Sequence, residues 1–223
     1  MKTALITGAS RGIGRALAKK FLNEGYFVIG TSTGGKLSYE NENLASVQLD
    51  LASPGSIKEC SNEITALGKK IDILINNAGI WAGDESEEES PNEVRIDWLR
   101  QTLEVNLIGT IDFTQRVLPL ISESGHIVNV SSRAGSLGHA HHANYPDYKI
   151  SKAALNMFTR VLSFQLEGKG IIVSSVHPGW VRTDMGGDDA DLSPEEAAEP
   201  IFKLATSDVE TGQFWFNGEK FQW

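Results

Sequence analysis

The chain has 223 residues, 40% of them apolar, enough for one buried core, and no apolar run approaches the roughly 18 residues of a membrane span. A net charge of −9 argues against a nucleic-acid or anionic-membrane surface, though a few local cations and backbone N–H groups could still hold an anionic cofactor. Cys60 is the only cysteine, which excludes an intrachain disulfide, and MKTALITG has no signal-peptide pattern, so a reducing, cytoplasmic setting is expected.

In chain order, TALIT (Thr3 to Thr7) reads as a buried strand, followed by a glycine-rich turn and the helical IGRALAKKFLNEG. Ile13, Leu17 and Phe21 recur at helical spacing there, and Gly25 stops the helix. FVIGTS is a second strand and SVQLD a third, and SPGSIKECSNEITALGKK is a helix opened by Ser-Pro. IDILINNAG, unbroken in hydrophobicity, is a fourth strand covered on both faces. An acidic loop (Asp84 to Ser90, DESEEES) precedes a helical pattern running from about Val94 to Ile121. HIVNVSS and IIVSSVHPG are further central strands around a helix whose entry is marked by Pro146. LSPEEAAEPIFKLA is a late helix in which Ser193 and Glu196 form a capping box, and GQFWFNG closes as a last strand. This alternation predicts an α/β fold: one domain over residues 1–223, a doubly wound parallel sheet of about seven strands with helices on both faces.

TGASRGIG (Thr7 to Gly14) lies between the first strand and the first helix, the context in which glycine spacing indicates a Rossmann phosphate loop. Gly8 can make the tight turn, and Gly12 and Gly14 permit close approach of backbone to pyrophosphate and of helix to strand. The helix N-terminus would then point its free N–H groups at the phosphates.

TGxxxGxG resembles the short-chain dehydrogenase/reductase family, and further motifs support this in order: NNAG (Asn76 to Gly79), Asn106 in VNLIGT, the serine pair ending IVNVSS, YKISKAALNMF and HPGWVRTDM. The tail, with PGWVxTDM and a terminal tryptophan, looks like the carbonyl reductases and the related sniffer and C-factor proteins. The resemblance implies that Tyr148 is the acid–base, with Lys152 four residues on, that Ser132 bonds the substrate oxygen, and that Asn106 orders a water linking Lys152 to solvent. Ser131 or Ser132 could instead simply end a strand, and Asn106 could cap or kink its helix.

A second tyrosine–lysine pair, Tyr145 and Lys149, has the same spacing but lacks the motif serine, and Pro146 suits a helix entry. A neighbouring ammonium is expected to lower the Tyr148 phenol from its ordinary value near 10.

The stretch after the second strand has no acid before Glu40; Ser32, Thr33 and Lys36 could donate to a 2′-phosphate there. Arg11 is the expected phosphate cation, with a surface ion pair as the alternative, so NADP(H) is expected in preference to NAD(H). By the resemblance, Ser10, Ile13, Asp50 (taken as the end of the third strand), Asn77, Ala78, Gly79, Pro178, Gly179, Val181 and Thr183 complete the cofactor site. Tyr145, Trp180 and Met185 are candidate substrate-side residues, as is Trp81.

His139, His141 and His142 cluster, but no further ligand sits at matching spacing, and no metal is expected. The expected activity is reduction of a small-molecule aldehyde, ketone or quinone. A 3-oxoacyl thioester reductase and a non-enzymatic dinucleotide-binding signalling protein are the alternatives. The expected partners are small molecules, neither nucleic acid nor membrane; the resemblance implies a homodimer or homotetramer, although carbonyl reductases include monomers, and leaves the oligomeric state open.

Overall fold

The computed structural model describes residues 1–83, 93–139 and 143–223; the acidic stretch Asp84–Ser90, His141 and His142 lie outside them. Eight strands form one sheet in the order β3-β2-β1-β4-β5-β6-β7-β8. These are β1 (Thr3–Ile6), β2 (Phe27–Ser32), β3 (Leu44–Gln48), β4 (Ile71–Asn76), β5 (Ile121–Val130), β6 (Ile172–Val176), β7 (Gln213–Phe216) and β8 (Glu219–Lys220). β1 to β7 pair in parallel, and β8 returns antiparallel on β7. The helices are α1 (Gly12–Asn23), α2 (Pro54–Ala66), α3 (Ile96–Leu103), α4 (Thr110–Val117), α5 (Pro146–Gln165) and α6 (Pro194–Thr206).

Alternate residues of each strand enter two cores, as the period-2 geometry of a strand requires. Leu5, Ile29, Leu74, Ile127 and Val173 pack under α2, α4 and α5 with Ile57, Phe113 and Leu162. Ala4, Ile6, Val28, Ile73, Ile75 and Val128 pack under α1 and α6 with Leu17, Phe21 and Ile201. The parallel strands are thus covered on both faces, which is why their sequences show unbroken hydrophobicity.

The expected seven parallel strands are present, and an eighth is added because Asn217 (φ 48°) and Gly218 (φ 83°) turn the chain back into β8; three other expectations are corrected. Both central residues of that turn have positive φ, as a tight hairpin needs. The third strand ends at Gln48, so Asp50 lies beyond it, although Leu49 and Leu51 stay buried. The helical run starting near Val94 is divided: Glu104–Gly109 is a π-helix between α3 and α4, a 3₁₀ turn covers Leu118–Leu120, and Ile121 already belongs to β5. The first strand stops at Ile6, leaving Thr7 to the turn.

The order of the strands reverses between β1 and β4, so their carboxyl ends open the crevice in which doubly wound sheets bind ligands. The glycine turn follows β1 and NNAG follows β4, which brings both motifs to that crevice.

Candidate active site

The crevice is built on glycine. Gly8 (φ 69°) and Gly12 (φ 52°) hold left-handed conformations. A Cβ on Gly14 would lie 2.2 Å from Gly8 O and 2.5 Å from Asn77 Nδ2, so the start of α1 presses on the turn before it. Thr7 fastens the two halves together: its Oγ1 accepts from Asn77 N and Ala78 N, both at 3.0 Å. Asn77 Nδ2 donates to Thr7 O at 2.9 Å and Gly8 O at 3.3 Å, so its amide is committed to the turn.

The N-terminus of α1 differs from those of α2 and α6. Ser53 and Ser193 cap the latter two, the second as the expected capping box with Glu196. At α1 the capping position is Arg11, which makes no side-chain cap bond, and the first turn has no acid. Backbone N–H groups and the positive dipole end are therefore left facing the glycine crevice, as an anion site requires.

Arg11 is exposed and forms an ion pair with Asp184, the alternative considered for it. A Cβ on Gly12 would meet Thr183 Cγ2 at 3.1 Å, so the segment after β6 lies directly across the glycine turn. In that segment Gly179 has φ 94°, Val181 is buried, and Thr183 Oγ1 accepts from Gly186 N at 3.1 Å. Ser32 is buried and donates to Lys36 O at 3.0 Å, whereas Thr33 and Lys36 are exposed. Asp50 accepts from Ala52 N at 2.9 Å. Ser10 is half-buried, and Ile13 and Ala78 pack against the two cores. Tyr39, which the sequence reading passed over, donates to Ala9 O at 3.0 Å and supports the turn from behind.

Tyr148 and Lys152 share one face of α5. Lys152 Nζ donates to Val130 O at 2.9 Å and lies 5.5 Å from the centre of the Tyr148 ring. Ser132 acts on the Tyr148 phenol, pulling its pKa down. Ser131, by contrast, turns its hydroxyl to Lys152 O at 3.3 Å and serves the packing of β5 on α5. Asn106 sits in the π-helical segment and is held by a reciprocal pair: it accepts from Ile80 N and donates to Ile80 O, both at 2.7 Å. Its Nδ2 also reaches Ser151 Oγ at 3.1 Å. Asn106 Oδ1 and Lys152 Nζ flank the space above Gly79, lying 3.1 and 3.5 Å from where a Cβ would stand. The widened turn brings Asn106 there, and Gly109 allows it, since a Cβ at Gly109 would fall 2.0 Å from Leu51 O.

The electrostatics depart from expectation. Burial pushes the Tyr148 phenol up to about 12, outweighing the opposing pull of Ser132. Burial likewise brings the Lys152 ammonium down to about 8. Desolvation penalises both charged forms, so the phenol is held further from ionisation than its ordinary value near 10 would place it.

Tyr145 stands outside the helix, in the left-handed conformation (φ 57°, ψ 48°), as the residue preceding Pro146. As the N-cap, it offers its carbonyl to the first helical bond, from Lys149 N at 3.0 Å. Its ring meets Trp81 edge-on at 5.0 Å. Trp180 and Met185 are exposed on the segment after β6, where Trp180 Nε1 donates to Gly186 O at 2.8 Å. Another contact that the sequence did not announce anchors the first turn of α5. Asp147, 2% exposed, accepts from Thr102 Oγ1 of α3 at 2.7 Å.

Known proteins resemble the chain over most of its length. The chain is 37% identical over 195 residues to a 3-oxoacyl-[acyl-carrier-protein] reductase FabG of Aquifex aeolicus, covering 82% of this chain and 75% of that protein. The NADPH-bound carbonyl reductase from chicken fatty liver superposes with a TM-score of 0.88 at 28% identity, covering 100% of this chain and 94% of that one. The carbonyl reductase Sniffer of D. melanogaster gives a TM-score of 0.88 at 27% identity, covering 100% of both chains. The short chain dehydrogenase family model matches residues 2–192, which take in the glycine turn, Asn106, the serine pair and the tyrosine–lysine pair; the chain belongs to that family of oxidoreductases.

Proposed function

We propose that this chain is an NADPH-dependent reductase that delivers hydride to the carbonyl of an aldehyde, ketone or quinone, with Tyr148 supplying the proton. The observation that carries this reading is the Tyr148 phenol itself. It lies on one face of α5 beside Lys152, Ser132 acts on its hydroxyl, and it is protonated at neutral pH, with burial raising its pKa further, to about 12. A phenol in that state is a proton donor, which suits a reaction in which negative charge develops on a carbonyl oxygen. The Ser132 hydroxyl would orient that oxygen, and the Lys152 ammonium, protonated below about 8, would face the phenolate left behind.

Bound NADPH supplies the hydride. Gly8, Ser10, Gly12, Ile13 and Gly14 would hold its pyrophosphate at the uncapped end of α1. Asp50, Asn77, Ala78 and Gly79 would line the adenosine and ribose side, with Lys152 on the nicotinamide ribose. Pro178, Gly179, Val181 and Thr183 would hold the nicotinamide end. The preference for the 2′-phosphorylated form rests on the absence of a carboxylate from the end of β2 to Tyr39, together with Ser32, Thr33 and Arg11. Arg11 would exchange its exposed partner Asp184 for the phosphate. The Trp81–Tyr145 pair, Trp180 and Met185 would form apolar walls on the substrate side.

A second reading, reduction of a 3-oxoacyl thioester, is favoured by the identity to the bacterial carrier-protein reductase. The full-length likeness to two carbonyl reductases, C-terminal tail included, favours the first. A substrate panel separates them: isatin and simple aldehydes against an acetoacetyl thioester, each with NADPH and NADH. The expected result is turnover of the small carbonyls, with kcat/KM at least tenfold higher for NADPH and that preference lost in Arg11→Ala. Equal use of both cofactors, unmoved by the substitution, would remove the cofactor assignment. Turnover of the thioester alone would establish the second reading.

A further inference from the structure

Asn156 is the third member of the α5 face that carries Tyr148 and Lys152, one helical turn beyond the lysine. It is 4% exposed, and both ends of its amide are used. Ser175 Oγ of β6 donates to Oδ1 at 2.7 Å, and Nδ2 donates to Gly135 O at 3.2 Å. Gly135 closes the short turn Arg133–Gly135 that directly follows Ser132. A Cβ on Gly135 would fall 2.5 Å from Lys152 C and 2.8 Å from Ala153 N, so this turn rests on the bare backbone of α5. At its other end Ser132 Oγ accepts from Ala134 N at 3.1 Å, which ties the hydroxyl to the same turn.

One buried amide thus joins three elements: the turn that places Ser132, the helix that places Tyr148 and the strand that leads to Pro178. We propose that Asn156 is a positioning residue for the reaction. By fixing the Gly135 carbonyl to α5 and β6, it sets the separation of Ser132 and Tyr148, and so the seat of the carbonyl between them. An apolar side chain could fill the space, but it would leave the Gly135 carbonyl free to lift away from the helix. The inference rests on the reading of Ser132 and Tyr148 given above.

The test is a double-mutant cycle in the full-length chain, with isatin as the substrate and direct titration of NADPH. Asn156→Ala is expected to lower kcat at least tenfold while the NADPH Kd stays within twofold of the parent. In a Ser132→Ala background the same change is expected to cost less than twofold, because Asn156 acts through the serine. A parental kcat, an equal loss in both backgrounds, or a parallel loss of NADPH affinity would overturn the proposal. If Asn156→Ala does not fold, Ser175→Ala frees the amide while keeping it in place. A three- to tenfold loss of kcat that vanishes without Ser132 is then expected, and no loss would overturn the proposal. Ser132→Ala with parental kcat would instead defeat the active-site reading itself.

Discussion

Two adjacent serines illustrate how residue type underdetermines role. Ser131 and Ser132 end the same strand motif, yet one hydroxyl donates to the Lys152 carbonyl, while the other accepts from Ala134 N and acts on the Tyr148 phenol. Ser131→Ala is expected to cost about 1 kcal/mol of stability, the net worth of one hydrogen bond, with kcat within about twofold. Ser132→Ala is expected to lower kcat by about a hundredfold, the usual scale for a donor at a developing oxyanion, with little change in stability. Urea unfolding beside steady-state rates checks both; the reverse pattern would exchange their roles. The motif serine and Pro146 favour Tyr148 over Tyr145, and the helix start at Pro146, with Tyr145 at its N-cap, was legible from that proline. The direction of the phenol's shift was not, because it depends on burial contributed by residues distant in sequence. Asn156 and Asp147 were hidden for the same reason: their partners, Gly135, Ser175 and Thr102, are set by tertiary packing.

Elements were read best where both faces are covered. FVIGTS was placed as Phe27–Ser32 without error, since burial on both sides ends where the ladder ends. β3 lies at the sheet edge, and its apolar run outlives its pairing through Leu49 and Leu51, which shifted the predicted strand. The π-helical turn adds one residue to a helical period, too small a signal to read from apolar spacing. β8 did have a signal, the Asn-Gly pair at 217–218, which was read as an ending and not as a hairpin. The glycines provide the test at this scale. Gly14→Ala puts a Cβ 2.2 Å from Gly8 O, where the backbone cannot yield, and a loss of NADPH affinity of a hundredfold or more is expected. Gly25→Ala meets nothing within 4 Å and carries only the strain of φ 80°, about 1 kcal/mol. Calorimetric binding and thermal unfolding of the two variants would show these effects separating, and equal NADPH binding by both would contradict the packing described for the turn.

For the molecule as a whole, two buried histidines set the acid limit of stability. Burial brings His126 down to about 4, and burial with the charges of Arg133 and His139 does the same for His177. An unfolded histidine takes up its proton near 6.5, so between pH 6.5 and 4 the unfolded chain holds more protons than the native one. Their contribution is complete above 6.5 and is lost as pH falls toward 4. At pH 5 each should cost about 2 kcal/mol, at roughly 1.4 kcal/mol per pH unit. Urea unfolding at pH 5 and 7.5 should show that loss, reduced in His126→Gln, and identical midpoints would contradict it. The tail is packed on the same body: Phe221 stacks on His139 and Trp223 on Phe214, joining it to the 3₁₀ turn Leu137–His139 and to β7. NADPH oxidation with isatin by the parent, Tyr148→Phe and Tyr145→Phe decides whether the Tyr148 phenol carries the chemistry. Tyr148→Phe should lose at least a hundredfold in kcat while still binding NADPH, and Tyr145→Phe should change KM more than kcat. Turnover spared by Tyr148→Phe and abolished by Tyr145→Phe would contradict the assignment.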